Sequence, residues 1–174
     1  DISVVGLKNL SEKQIFTYSG LYPKDQYTDI NNNNIFDHQE PYIDNNNNGY
    51  YDIKGTYIRS GDEIKKAINN LWELGYFSDL QIYITENSRT FVNLEIRIEE
   101  LPFVGKIEFR GINKRVSKKL IDEINLKEFE RLSNHKIFSA VKSIKDFFIN
   151  KGHLTVEVNI ETNYEKENDV ENII

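Results

Sequence analysis

"SGDEIKKAINNLWELGYFSDLQIYITENSRTFVNLEIRIEE", residues 60–100, changes its hydrophobic period once, at Gly75. Before Gly75 the apolar residues Ile64, Ala67, Ile68 and Leu71 recur three and four apart, which sets them on one face of a helix. Ser60 or Asp62 is the expected cap of that helix, and Gly75 its expected left-handed stop. After Gly75 the period drops to two. Leu80, Ile82 and Ile84 share one face of a strand, and Val92, Leu94, Ile96 and Ile98 share one face of the next. A turn around Asn87 and Ser88 joins them as a hairpin.

The same order returns in "SNHKIFSAVKSIKDFFINKGHLTVEVNIETN", residues 133–163. Val141, Ile144, Phe148 and Gly152 each stand 77 residues after Ile64, Ala67, Leu71 and Gly75. Val156, Val158 and Ile160 then alternate as Leu80, Ile82 and Ile84 do, one residue out of step. The chain therefore contains an internal repeat. Upstream, "ISVVGLKNLSEKQI" (2–15) and "KIEFRGINKRVSKKLI" (106–121) each give a short strand, a glycine (Gly6, Gly111) and a serine (Ser11, Ser117) placed to cap a short helix. Each unit thus reads strand, helix, helix, strand, strand, an α+β arrangement in which two helices cover one face of a small three-stranded sheet. The expected domains are 1–101 and 102–174, the last strand of the second cut short. Gly6 to Ile64 spans 58 positions and Gly111 to Val141 only 30, so the first unit carries an insertion between its helices, at about 25–57.

Certain residues carry a family likeness. "SGLYPKDQ" follows the first helix, Leu71, Trp72, Gly75, Phe77, Ser78 and Asp79 form a Leu-Trp-x-x-Gly-x-Phe-Ser-Asp pattern, and Leu101-Pro102 stands at the junction. With these, the tandem units resemble POTRA domains of the BamA family. The second unit lacks the Trp and Phe-Ser-Asp signature but has Lys151, Gly152, His153 and Leu154, similar to the Lys-Gly-Tyr-Leu pattern of later POTRA units. The resemblance implies a periplasmic, non-enzymatic module of an outer-membrane assembly factor, in a parent chain anchored by an outer-membrane β-barrel. Implied partners are unfolded outer-membrane proteins and accessory lipoproteins. Edge strands would capture extended chains by backbone pairing, with 79–86 and 154–161 as candidate edges. A different class of reading is a calcium-stabilised structural or adhesion module at the cell surface.

The insertion, "DINNNNIFDHQEPYIDNNNNGYYD" (29–52), lies outside that likeness and has a pattern of its own. Asp29, Asn31, Asn33, Asp37 and Glu40 fall at positions 1, 3, 5, 9 and 12 of a calcium loop, with the Ile35 carbonyl at position 7 and Phe36 at position 8. Asn34 replaces the usual glycine at position 6. A second run places Asp44, Asn46, Asn48, Gly49, the Tyr50 carbonyl, Tyr51 and Asp52 at positions 1, 3, 5, 6, 7, 8 and 9, but position 12 is Gly55. One or two Ca²⁺ ions are expected, because these are hard oxygen donors in a flexible loop. The second site needs a carboxylate from elsewhere, with Glu40 or Asp37 expected to reach across Pro41. That proline also forbids the helix an EF-hand would continue into.

Composition narrows the remaining classes. A net charge of −6 and a pI near 5.2 argue against nucleic acid as a partner. The absence of cysteine removes thiolate metal sites, thiol catalysis and disulfides. No apolar run approaches the ~20 residues that span a bilayer, and the N-terminus lacks the order of a signal peptide, so an export signal is expected to have been removed or never present. His38, His135 and His153 share no metal spacing. Trp72 is expected in packing, Asp62 and Glu63 at a helix start, and Glu99 and Glu100 at a strand end. No catalytic constellation is expected.

Overall fold

The computed structural model describes residues 1–58 and 61–174. They form two compact units, Asp1–Glu100 and Leu101–Ile174. The first runs β1 (Ile2–Val5), α1 (Glu12–Ser19), β2 (Gln26–Tyr27), β3 (Tyr42–Ile43), α2 (Asp62–Glu73), β4 (Phe77–Asn87) and β5 (Val92–Glu100). The second runs β6 (Phe103–Ile107), α3 (Lys114–Glu123), α4 (Asn134–Ile149), β7 (Thr162–Glu165) and β8 (Val170–Ile173). Apart from β2 and β3, both follow the expected strand, helix, helix, strand, strand order. Their sheets agree as well: β1-β5-β4 and β6-β8-β7, each with its last strand in the middle, parallel to the first and antiparallel to the second.

The helix starts show why local chemistry picks its own boundaries. Ser11 caps α1 as expected, in a reciprocal capping box with Gln14. In the second unit the cap is Asn113, whose side chain accepts from the Val116 N–H. Ser117 lies inside α3 instead, its hydroxyl donating to the Asn113 carbonyl. Asn outranks a serine four residues later because it reaches the free N–H groups of the first turn. Asn113→Ala should therefore lower the second unit's stability by about 1 kcal/mol, read as an earlier urea midpoint at unchanged slope. The N-terminus of α2 is also corrected: Gly61, at φ +82°, precedes the helix and Asp62 is its first residue. Ser60 lies outside the described residues.

Each sheet holds its own core. Ile15 of α1 and Leu71 of α2 pack on Phe77, Leu80, Ile96 and Ile98, while Leu21, Ala67 and Leu94 form a second cluster in the same unit. In the second unit Val104, Ile124, Leu126, Leu132, Ala140 and Ile173 are buried together. Trp72 is not part of a core, being 42% exposed on α2.

The strand expected at 154–161 is displaced. Residues 154–160 form no strand, and pairing begins where Glu161 and Ile174 exchange backbone hydrogen bonds, just before Thr162 stands opposite Ile173. The reason is the partner: β8 offers four residues for pairing where β5 offers nine. Val156, Val158 and Ile160 still turn inward relative to their neighbours, and Ile160 packs on the core. Alternation records burial, and burial survives without a ladder.

Candidate functional site

The insertion folds as two copies of one loop joined by a short ladder. Gln26 pairs with Ile43 and Tyr27 with Tyr42, and the Thr28 N–H extends the ladder to the Pro41 carbonyl. This register sets Asp29 across from Glu40 at one end. In the first loop Asp29 accepts from the Asn33 and Asn34 N–H groups at 3.2 and 2.7 Å. In the second, Asp44 accepts from Asn48 and Gly49 at 3.2 and 2.8 Å. The Gly49 N–H, foremost among these donors, holds the Asp44 carboxyl below the usual carboxylate range. Positions 4 and 6 are left-handed in both loops, at Asn32 and Asn34 and at Asn47 and Gly49. Asparagine at position 6 thus adopts the conformation glycine takes in the other copy.

Inside each loop the side chains converge on position 9. Asn31 and Asn33 donate their amide groups to one oxygen of Asp37 at 2.6 and 3.0 Å. Asn46 and Asn48 do the same to Asp52, both at 2.7 Å. The opposite amide oxygens accept from the Asn33, Ile35, Asn48 and Tyr50 N–H groups. These pairs bring together the side chains expected at positions 3, 5 and 9. For a cation to join them, the amides must turn oxygen towards the carboxylate where N–H now points. No group of three or more His, Cys, Asp or Glu side chains converges among the described residues.

Two buried carboxylates accept from the backbone of the loops. Glu40, 6% exposed, accepts from the Ile30 and Asp37 N–H groups at 2.8 and 3.0 Å. Glu40 and Asp37 both stay with the first loop, so neither reaches across Pro41 to the second. The residue that does reach the second loop is Asp25, which sequence spacing did not flag. It is 2% exposed and accepts from the Asn45 and Asp52 N–H groups at 2.9 and 2.8 Å. Between the loops Phe36 and Tyr51, the two position-8 residues, stack at 4.0 Å, with Tyr27 and Tyr42 edge-on to both. Burial first, then the nearby carboxylates, pushes the Tyr27 and Tyr51 phenols up.

A second feature is the outer side of β4, which pairs with no other strand among the described residues. It lies at the border of its sheet, and bulges at its two ends leave Asp79–Ile84 as the regular stretch. In the second unit the border strand β6 is covered by its own chain: Val104 N–H bonds Glu130, Phe129 N–H bonds Val104, and Leu132 N–H bonds Pro102. That leaves β7, four residues long and exposed throughout, as the open side.

Part of the chain is similar to known proteins. Residues 102–174 match the POTRA family model, described as a surface antigen variable number repeat. No curated protein matches the chain. Among solved structures the chain is similar to the N-terminal domain of Omp85 from Thermosynechococcus elongatus, at 10% identity and a TM-score of 0.45, covering 99% of this chain and 59% of that one. It is also similar to POTRA1-2 of the periplasmic domain of Omp85 from Anabaena, at 12% identity and a TM-score of 0.45, covering 99% and 90%. The chain spans 58% of the Anabaena POTRA1-3 structure, at 14% identity. The family match falls on the second compact unit, which is similar to a POTRA domain over residues 102–174.

Proposed function

We propose that the chain is a periplasmic, non-enzymatic interaction module of an outer-membrane protein assembly factor, and that it captures unfolded outer-membrane proteins and accessory lipoproteins by strand addition. The observation that carries this reading is the POTRA match over 102–174, supported by the repeated sheet order in both units. The free side of β4 offers backbone N–H and C=O groups to an extended chain, which binds with little regard for side-chain sequence. No helix among the described residues is long and apolar enough to cross a membrane.

Titrating an isotope-labelled chain with an extended barrel-strand peptide tests it. Amide shifts should concentrate on residues 79–84, with smaller ones on β7. Shifts confined to α1 and α2 would overturn strand addition.

The insertion has a separate role in this reading: it binds calcium. The ligands are Asp29, Asn31, Asn33, the Ile35 carbonyl, Asp37 and Glu40 in the first loop, and Asp44, Asn46, Asn48, the Tyr50 carbonyl and Asp52 in the second. Support comes from the repeated spacing and from the convergence of positions 3, 5 and 9 in both loops. Weak loops of this kind fill at the millimolar calcium found outside the cytosol.

A further inference from the structure

The second sheet has a cavity on the face turned away from its helices. Val104 and Ile173 pack in the helix-side core, and the residues that alternate with them, Phe103, Gly105, Val170 and Asn172, fall on the other side. A cavity of about 720 Å³ lies over these four and is lined as well by Glu128 and Phe129. Its floor is fixed. The Arg131 guanidinium stands over the Phe103 ring at 4.1 Å and bonds the Leu101 carbonyl. A Cβ on Gly105 would lie 2.5 Å from the Asn172 Oδ1, which accepts from the Lys106 N–H at 2.8 Å.

Phe129, at this cavity, goes against two ordinary preferences. It takes the third place of a four-residue turn, closed by the Glu130 N–H on the Lys127 carbonyl at 3.3 Å, and its φ is +66°. Glycine or asparagine normally fills a left-handed third place, and an aromatic residue there is strained. The ring is also 75% exposed, so burial within the unit does not offset that strain. Backbone bonds impose the conformation: the Phe129 N–H donates to the Val104 carbonyl and the Val104 N–H to the Glu130 carbonyl, both at 2.7 Å. A strained residue held by its surroundings, with an uncovered ring beside a cavity, has the form of a binding anchor.

Charge indicates what fits. Lys106 is engaged in an ion pair with Glu108, and the other charged residues lining the cavity, Glu128 and Glu165, are both carboxylates. We propose that this cavity docks a protein partner through an aromatic side chain flanked by lysine or arginine. The ring packs on Phe103, Phe129 and Val170, and the flanking cations face Glu128 and Glu165. The proposal rests on the reading of the chain as an interaction module. It adds a contact surface in the second unit with a side-chain preference that backbone pairing lacks.

Titrating the isotope-labelled full chain with acetyl-Gly-Lys-Phe-Lys-Gly-amide tests the site. Amide shifts should saturate and centre on Gly105, Lys106, Phe129 and Val170. The same peptide with alanine for its phenylalanine, or glutamate for both lysines, should bind about fivefold or more weakly. Phe129→Gly should weaken binding about tenfold or more while raising the second unit's urea midpoint, because it removes the ring and relieves the strain. Glu128→Gln and Glu165→Gln should each weaken it about twofold to fivefold. Equal binding of the glutamate peptide, or unchanged affinity in Phe129→Gly, would overturn the proposal. The peptide comparison uses the parent chain, so the test survives a variant that does not fold. Shifts confined to residues 79–84 would overturn the cavity and leave strand addition standing. Saturable cavity shifts in a chain whose residues 79–84 ignore the barrel-strand peptide would support the cavity and count against strand addition alone.

Discussion

Gly6→Ala is expected to cost the first unit about 3–5 kcal/mol, enough to leave it largely unfolded. Gly6 follows β1 at φ +95°, and a Cβ there would lie 1.9 Å from the Ile98 carbonyl oxygen of β5. That atom is backbone in the central strand, so relief requires β1 to move off its parallel partner. The repeat supplies the control. Gly111 holds the equivalent place in the second unit at φ +78°, yet nothing lies within 4 Å of its added Cβ. Gly111→Ala should cost only the left-handed conformation, about 1–2 kcal/mol. Urea unfolding of the two variants separates the effects, and equal losses would refute close approach as the reason for Gly6.

Glu100→Ala should cost the same unit about 3 kcal/mol. The side chain is 1% exposed and accepts from three successive N–H groups: Lys8 at 2.8 Å, Asn9 at 3.1 and 3.3 Å, and Leu10 at 3.2 Å. One buried carboxylate thus fixes the turn between β1 and α1 to the end of β5. Truncation leaves these donors without their acceptor, whereas Glu100→Gln keeps one oxygen and should lose less. Faster hydrogen exchange at residues 8–10 in Glu100→Ala, with α4 unchanged, would accompany the loss in stability. A change below about 0.5 kcal/mol, the range of ordinary surface substitutions, would show that the turn holds itself.

The periodic parts of the chain were legible because period and burial have the same cause. The constant spacing from Ile64 to Val141 and from Gly75 to Gly152 located α2 and α4, and both terminal glycines are left-handed. Ser11 was legible because its cap is completed within four residues. Ser117 misled because Asn113, equally near, has a better-placed acceptor. The 154–161 strand misled because alternation reports which side is inward and says nothing of whether a partner strand extends that far. Glu100 and Asp25 escaped for another reason. Their partners lie about 90 and 20 to 27 residues away, so no local pattern marks them. For Asp25 one signal was available: counting charge from residue 25, and not from 29, shows that the acidic block with no Lys or Arg begins there.

Confining the net charge to one loop pair also sets how copies of this chain meet in solution. Outside residues 25–52 the chain carries 22 acidic and 22 basic side chains, so the insertion alone keeps molecules apart. Two bound divalent cations would bring the net charge from −6 to about −2, and mutual repulsion, scaling as the product of the charges, would fall about ninefold. Such binding would act on colloidal behaviour as well as on loop order. Without bound ions the insertion acts as an electrostatic bumper, and ions bound in its loops would lower that barrier and let neighbouring molecules approach more closely.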